Sequence, residues 1–480
     1  MTFWLSRKKP VLLILYLALF FITCNNALFW DTMQFASFHP SWYYYNNFSY
    51  LWLPDTIDSG HPPFFGMYLA AIWKILGRNL LATHLAMLPF VIMIVVQAAR
   101  LGDILFGKAT VWSFLCTLIV LSETALLGQI TLASPDVVLM AGFLLGINAV
   151  LSGNKVHLAT GVVLLSVIST RGMMCVAALY LFLIAYRWAE RGRYAGMPLF
   201  LLSALAPFLP GIILAGAYLV LHNTDKGWSS VSTNTASAWA PAFSRVDAKG
   251  FIHNLFILCW RIIDLGRILT VLVFAWLLVK RILERRKPNG QKEHQQLNSL
   301  LVLMAALFVI SALPLCFFSG LMGHRYLLPL TTVLAAAAVI LLVGSRQRFK
   351  KEIAAAMILV QLSGNFWVYP AGLSTGWDST LAQLPYYPLR EDFKQYIQEH
   401  GIPAEEISSQ FPLWSSSYGI DLGADTVRYK DALQVQTRYI WYSNVCNSLQ
   451  DSAAYYFRNF KVLKYEKKGQ VEMALFERKQ

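Results

Sequence analysis

Long apolar runs separated by short polar or basic stretches repeat along most of the chain. A transmembrane helix needs about 20 mostly apolar residues, and each run that approaches this length is expected to form one. Eleven runs qualify, at residues 10–29, 80–99, 109–128, 136–152, 156–170, 172–186, 197–221, 266–280, 298–318, 327–344 and 353–369. The pattern therefore predicts an all-α polytopic membrane domain of about eleven helices.

One further apolar run, "HPPFFGMYLAAIWKILG" at 61–77, is shorter and opens with His-Pro-Pro. If it lies along the interface, as an amphipathic helix can, every strongly basic loop falls on the side of the N-terminal Arg-Lys-Lys. If it crosses the membrane, "KRILERRKPNGQK" at 280–292 faces outward, against the positive-inside rule. We therefore expect a juxtamembrane helix at 61–77, in the first outer loop.

The pattern changes to a polar one near residue 370. "REDFKQYIQEHG" predicts a helix that ends at Gly401, "RYIWYSNV" predicts a strand, and "FKVLKYEKKGQVEMALFERK" predicts a hairpin that turns at Lys468 and Gly469. The expected division is a transmembrane domain at 1–369, with outer loops at 30–79 and 222–265, and a small extracytoplasmic α/β domain at 370–480.

Composition agrees with a membrane protein. Of 480 residues, 56% are hydrophobic and 14% charged, which is more apolar surface than a soluble core can hide. The net charge of +14 comes from Lys and Arg in short loops, which is a signal of membrane topology. Membrane lipids are therefore expected partners, and a nucleic acid is not. Five of the six cysteines lie in apolar runs, and their spacing fits neither a disulfide framework nor a zinc site.

Two aspartates stand where the predicted helices reach the outer face. Asp31 follows Trp30 at the mouth of the bilayer, and Asp136 follows Pro135 at the start of a helix. Ionisable groups near the membrane are costly and are often functional. The alternatives are that Asp31 caps an interfacial helix and that Asp136 only complements the helix dipole.

Cationic and other polar candidates fall on the same face. The guanidinium of Arg325 suits bidentate contact with phosphate, although such a side chain can also extend to lipid headgroups. Arg171 could serve the same phosphate or mark a tight outer turn. His61 could shape the turn before Pro-Pro, and Asp58 sits in "DTIDSG", a turn-rich stretch.

The order of these motifs resembles that of a known family. Asp31, "DSGHPPFFGMYLAAIWKILG" at 58–77, "SPDVVLMAGFLL" at 134–145, "STRGM" at 169–173 and "GHRYLLPL" at 323–330 resemble, in series, the GT-C membrane glycosyltransferases. The likeness spans roughly residues 10–345 and is strongest to the branch of dolichyl-phosphate-mannose protein mannosyltransferases and aminoarabinose transferases. It implies transfer of a sugar from a polyprenyl-phosphate donor to a lipid, glycan or protein acceptor, with inversion at the anomeric carbon.

Glycosyl transfer needs a carboxylate for the incoming hydroxyl and cations for the departing phosphate. The expected catalytic residues are Asp31 and Asp136. Many relatives carry Asp-Glu at the first position, but Thr32 follows Asp31 here, which makes Asp136 the second acid. The expected donor phosphate ligands are Arg325 and Arg171. The remaining candidates, expected to bind substrate, are His61, His324, Tyr326 and Asp58.

Whether the site binds a metal ion is left open by the sequence. Asp31, Asp136 and His324 could converge on a divalent cation, yet no ligand spacing requires one. The expected location is a bacterial inner membrane, with the site and the C-terminal domain facing the periplasm. Two other classes remain: a lipid or glycan transporter, or flippase, and a scaffold that recruits partners through the tail. The candidate charges gather at one face rather than at mid-depth, which favours the enzyme over the transporter.

Overall fold

The computed structural model describes residues 8–228, 234, 236, 240–284, 291–320, 323–367, 369 and 376–479. Twenty α-helices and five strands lie in these ranges. The helices of the apolar part are α1 Lys8–Thr23, α2 His39–Tyr45, α3 Phe64–Leu76, α4 Leu80–Leu85, α5 Leu88–Phe106, α6 Val111–Leu121, α7 Thr124–Ile130, α8 Pro135–Ser152, α9 Lys155–Ile168, α10 Thr170–Arg187, α11 Met197–Leu205, α12 Leu209–Lys226, α13 Ala248–Ile263, α14 Ile268–Leu283, α15 Gln291–Leu307, α16 Leu328–Gly344 and α17 Lys350–Ser363.

Two helices, α8 and α16, form the centre of the bundle and are buried along nearly their whole length. Helix α8 packs against α5 and α9, and α16 packs against α6, α14 and α15. Residue Gly161 lets α8 and α9 approach closely, because a Cβ there would lie 2.9 Å from the carbonyl oxygen of Gly142. The peripheral helices expose large apolar side chains such as Ile22, Leu283 and Leu359, as lipid-facing helices do.

Six helical segments are long and apolar enough to cross a membrane, or eight if each of two bent pairs counts as one span. These numbers refer to the described residues. The predicted helix at 109–128 is two helices, α6 and α7, at 65° to each other. The break lies at Glu123, whose backbone is not helical and whose side chain caps α7 by accepting a hydrogen bond from Leu126 N at 2.7 Å. The same carboxylate pairs with Arg267.

Helix α3 occupies the disputed run at 61–77. Its 13 residues span about 20 Å, less than the roughly 30 Å of a bilayer core. Arg78, just beyond its end, donates hydrogen bonds to the backbone oxygens of Tyr418 at 2.9 Å and Leu422 at 3.0 Å. Leu28 N, between the end of α1 and Asp31, donates to Ile420 O at 2.8 Å. Both ends of segment 28–78 therefore meet the same C-terminal turn, which supports the juxtamembrane placement.

The C-terminal region is a small mixed sheet with helices. Its elements are α18 Tyr386–Glu399, β1 Ile407–Ser409, α19 Ser417–Ile420, β2 Lys430–Asp431, β3 Tyr439–Ser443, α20 Ala453–Asn459, β4 Phe460–Lys468 and β5 Val471–Arg478. The strand order is β2-β1-β3-β5-β4, with parallel pairs around β1 and antiparallel pairs around β5. The ion pair between Arg390 of α18 and Asp421 joins helix to loop through two contacts of 2.8 Å.

The predicted fold class is confirmed: a helical membrane part with a small C-terminal α/β region. The predicted number of about eleven transmembrane helices stays a prediction. The predicted helix, strand and hairpin of the tail are found as α18, β3 and β4–β5, with the hairpin turn at Gly469 and Gln470. The predicted domain boundary at 369/370 stays a prediction, since residues 370–375 lie outside the described ranges, as do 285–290 of the basic loop.

Cysteine labelling tests the topology. In a background that carries Cys259→Ser, which removes the exposed native thiol, we expect Tyr50→Cys and Gln398→Cys to react with a membrane-impermeant maleimide from the outer face. Arg346→Cys, in a basic loop, should react only after the cytoplasmic face is opened. Labelling of Tyr50→Cys and Arg346→Cys from the same side would contradict the placement of α3 along the interface.

Candidate active site

Arg325 lies at the centre of a buried cluster of charged side chains. Its Nη2 contacts Asp31, its Nη1 contacts Asp378, and its Nε lies 3.1 Å from an oxygen of Asp136. The side chain of Arg325 is only 8% exposed, so the guanidinium meets carboxylates from three separate parts of the chain with little water between them. Ion pairs in such a setting are screened far less than pairs on a surface.

The two central helices bring Arg325 and Asp136 together. Asp136 is in the first turn of α8, where Ser134 is the N-cap and accepts a hydrogen bond from the Asp136 amide at 3.2 Å. Arg325 is in a 3₁₀ turn, His324–Leu327, that leads directly into α16. The ion pair therefore links the N-terminal ends of α8 and α16, and the carboxylate of Asp136 also complements the dipole of α8.

Asp31 is presented by a turn rather than by a regular helix. Trp30 has a φ of 50°, and the Asp31 carbonyl oxygen accepts hydrogen bonds from Gln34 N at 3.0 Å and Phe35 N at 3.1 Å. This backbone carbonyl begins the helical turn that continues into the π-helical segment Gln34–Phe38. The side chain is left to contact Arg325.

Arg171 and Tyr326 complete the cluster. Arg171 pairs with Asp136 at 2.7 Å, and its guanidinium carbon lies 4.1 Å from the centroid of the Tyr326 ring. The Tyr326 hydroxyl is 3.4 Å from Nη2 of Arg325. Five of the predicted site residues, Asp31, Asp136, Arg171, Arg325 and Tyr326, thus form one contiguous group. Their catalytic and binding roles stay predictions.

His61 borders this group. Its ring stacks on Phe35 with centroids 5.6 Å apart, and Nδ1 lies 3.3 Å from Oγ1 of Thr170, the residue before Arg171. Burial, together with the positive charge of Arg171, lowers the pKa of His61 from 6.5 to about 3. The imidazole is therefore neutral near pH 7 and offers a hydrogen-bonding group instead of a cation.

His324 and Asp58 belong to other networks. Nε2 of His324 lies 2.6 Å from Asp264, in a group that contains Arg261 and Arg267 as well. His324 is thus turned away from Asp31 and Asp136, so the three residues considered for a metal ion do not converge. Within the described ranges, no group of three or more His, Cys, Asp or Glu side chains is placed to hold a metal.

Asp58 caps its own turn and pairs with a distant helix. One oxygen accepts a hydrogen bond from Gly60 N at 2.8 Å, and the other lies 3.1 Å from Nε2 of His222 on α12. Both side chains are buried. The pair ties the first outer loop to α12 and is separate from the Arg325 cluster.

Sequence reasoning missed Asp378. It lies in the 3₁₀ turn Trp377–Ser379, whose backbone packs on α7 at Gly128: a Cβ at Gly128 would lie 2.5 Å from Thr380 N. Gln129 fixes the turn by donating a hydrogen bond to Asp378 O at 2.7 Å. One signal was available, because Asp378 is the only acidic residue between Glu352 and Glu391. Its spacing from the other motifs carried no further information.

The described cluster carries more negative than positive charge. Asp31, Asp136 and Asp378 contribute three carboxylates, against the two guanidinium groups of Arg171 and Arg325. With all five ionised, the formal charge is −1. Nη1 and Nη2 of Arg325 each contact a carboxylate, so a further anion that binds this guanidinium at either nitrogen has to compete with that carboxylate.

This arrangement sits in a known architecture. No protein-family model matches the sequence, and no curated protein sequence matches it. Among solved structures, the chain is similar to ArnT from Cupriavidus metallidurans in the apo state, with a TM-score of 0.52 and 12% identity over 97% of each chain. The chain has the ArnT fold. It is likewise similar to ArnT from the same organism bound to undecaprenyl phosphate, with a TM-score of 0.52 and 14% identity. That match covers 82% of this chain and 72% of that ArnT chain. At the level of the fold, the resemblance seen in the sequence motifs is confirmed.

The lowered pKa of His61 predicts a pH effect on stability. The unfolded chain takes up a proton on His61 near pH 6.5 while the folded chain does not, so the free energy of unfolding should fall as the pH drops below about 6.5. We expect His61→Gln to soften this decline by about 1 to 2 kcal/mol at pH 5, as measured by thermal unfolding in detergent between pH 7.5 and 5. The control His400→Gln, at an exposed histidine, should keep the wild-type profile. Parallel profiles for wild type and His61→Gln would show that His61 is not neutral in the folded protein.

Proposed function

We propose that the protein is a membrane glycosyltransferase that moves a sugar from a polyprenyl-phosphate donor to an acceptor on the outer face. The observation that carries this proposal is the buried contact of Arg325 with Asp31 and Asp136, in a chain that has the ArnT fold. The same cluster offers a carboxylate for an incoming hydroxyl and guanidinium groups for a phosphate. ArnT from Cupriavidus metallidurans has been solved with undecaprenyl phosphate bound, which supports a donor of this lipid class.

The donor side of the site is assigned to Arg325 and Arg171. Arg325 precedes α16 and Arg171 lies in the first turn of α10, both near the expected headgroup level, where a lipid tail would hold a phosphate. A guanidinium forms two parallel hydrogen bonds to phosphate oxygens and keeps its charge at all physiological pH values. As the bond from the anomeric carbon to the phosphate oxygen breaks, negative charge grows on that oxygen, and Arg325 stabilises it.

The acceptor side is assigned to Asp31. It lies in the first outer loop, on the side of the membrane from which the acceptor is proposed to arrive. In the proposed reaction, Asp31 accepts the proton of the acceptor hydroxyl as that oxygen attacks the anomeric carbon from the face opposite the phosphate, which inverts the configuration. The contact with Arg325 orients the carboxylate. Asp136 holds both arginines in place and is the second acid of the site.

The remaining candidates differ in whether they border the charged cluster. Tyr326 and His61 border the charged cluster and are proposed to contact the sugar or the acceptor. His324 and Asp58 lie in neighbouring networks and are proposed to act on substrate only through the loops that they hold. The acceptor class stays open among lipid, glycan and protein hydroxyls. The proposed location is a bacterial inner membrane, with the site facing the periplasm.

Substitution of Arg325 tests the donor side. Arg325→Ala should lower the rate of sugar transfer by about 10²-fold or more, the scale seen when one charge-stabilising donor is removed. Arg325→Lys keeps the charge but loses the planar fork, so partial activity should remain. The matched control is Arg245→Ala, at an exposed arginine of the outer loop, which should transfer at the wild-type rate. Turnover and donor affinity that are unchanged in Arg325→Ala would remove Arg325 from the site.

Substitution of Asp31 tests the acceptor side. Asp31→Asn keeps the shape, so the variant should insert, extract and bind undecaprenyl phosphate, yet transfer sugar at least about 10²-fold more slowly, the lower end for loss of a general base. Asp31→Glu should keep part of the activity. Asp55→Asn is the control, because Asp55 belongs to the same loop but pairs with Lys226 at 2.9 Å. Wild-type transfer by Asp31→Asn would refute the assigned base.

The same measurement separates the enzyme from the two other classes. A flippase would move a labelled polyprenyl-phosphate lipid across vesicles without forming a glycosylated product, and a scaffold would need neither Asp31 nor Arg325. Mass spectrometry of envelope lipids and glycans, with wild-type protein and with Asp31→Asn, is therefore the decisive comparison. A glycosylated product that depends on Asp31 is expected only from a transferase.

A further inference from the structure

In the proposed function, on which this inference rests, a donor phosphate meets an excess of negative charge around Arg325. A phosphate monoester or diester brings one or two negative charges into a buried group whose five described side chains already sum to −1. Like charges at short range in a poorly solvated place repel strongly. Donor binding is therefore more favourable if one of the three carboxylates leaves the guanidinium groups.

Asp378 is the carboxylate to which the proposed reaction assigns no role. Asp136 is fixed by two arginines, Arg171 at 2.7 Å and Arg325 at 3.1 Å, and by its place in the first turn of α8. Asp31 has its assigned role on the acceptor side. The ion pairs of Asp378 in the described part of the chain reach one cation, Arg325, and its other side-chain contact is the hydroxyl of Ser379 at 3.1 Å. Its side chain is also the most exposed of the three, at 16% against 14% and 4%.

We propose that Asp378 occupies, on Nη1 of Arg325, the place that the donor phosphate takes, and that donor binding exchanges this carboxylate for phosphate. A carboxylate presents two oxygens to a guanidinium edge much as a phosphate does. In the donor-free protein, Asp378 keeps a buried cation paired, which avoids the cost of an isolated buried charge. A phosphate has more oxygens and more charge, so it displaces the carboxylate when its lipid tail delivers it to the site.

The backbone of the turn allows this exchange without a rearrangement of the fold. Asp378 O stays bound to Gln129, and the turn stays packed on Gly128, because neither contact involves the carboxylate. Rotation of the Asp378 side chain is therefore sufficient to free Nη1 of Arg325. After transfer, return of the carboxylate would promote release of the phosphate product, so Asp378 is a positioning residue that sets the affinity for the carrier lipid.

The test compares Asp378→Asn with wild type in nanodiscs, with undecaprenyl phosphate as the probe. Asparagine keeps the shape and removes the competing charge, so the Kd for undecaprenyl phosphate should fall about tenfold or more, the equivalent of one charge-assisted hydrogen bond. Without ligand, Asp378→Asn should melt at a lower temperature, since Arg325 loses an ionic partner, and undecaprenyl phosphate should raise its melting temperature by more than it does for wild type. The control Asp392→Asn, at an acid paired with Lys468 on the same C-terminal region, should match wild type in both measurements.

The outcomes distinguish this inference from the proposed function. If wild type does not bind undecaprenyl phosphate, the proposed function fails and the exchange fails with it. If wild type binds and Asp378→Asn binds equally well, the donor assignment stands and the exchange alone is wrong. Weaker binding by a folded Asp378→Asn would show that the carboxylate belongs to the occupied site, which also overturns the exchange. If Asp378→Asn does not fold, Asp378→Ser gives the same readings.

Discussion

The pairing of one buried guanidinium with carboxylates from distant parts of the chain is the constraint on which this structure depends. Taking Arg325 out of water is unfavourable unless its charge is matched and its donors are used. Asp31 comes from the first outer loop, Asp136 from a central helix, and Asp378 from the segment that follows the last apolar helix. Each of these parts is thereby held near the N-terminal ends of α8 and α16, and the site and the core share one set of contacts.

A second polar network, around Arg267, holds the turn that carries Arg325. Arg267 is nearly inaccessible, pairs with Glu123 at 2.6 Å, and donates to the backbone oxygens of Arg261 at 2.8 Å and His324 at 3.2 Å. Glu123 marks the break between α6 and α7, and Arg267 is the last residue of the break between α13 and α14. Because His324 directly precedes Arg325, the network fixes the 3₁₀ turn that presents the Arg325 guanidinium. Charged residues inside an apolar bundle thus shape the two broken helices and position the site at the same time.

The sequence was sufficient for those features that depend on local pattern. The apolar runs, the juxtamembrane helix before Arg78 and the hairpin at Gly469 each follow from hydrophobic period, loop charge or turn residues. The grouping of Asp31, Asp136, Arg171 and Arg325 followed from helix ends that share one face. Contacts between residues distant in sequence could not be predicted in this way. His324 adjoins Arg325 in sequence, yet it pairs with Asp264, which only the bend at residues 264–267 explains. Asp378 was missed because it belongs to the predicted soluble part and its approach to α7 depends on the close packing at Gly128.

The contacts between the first outer loop and the C-terminal turn have a consequence for biogenesis. Arg78 donates to Tyr418 and Leu422, and Leu28 donates to Ile420, so the loop that carries Asp31 rests on backbone made at least 340 residues later. During synthesis, the early helices enter the membrane while these acceptors are still untranslated. The loop can therefore reach its final arrangement only after the C-terminal region has been synthesised and has folded, and a nascent chain that stalls before residue 418 would hold its membrane helices without a completed site.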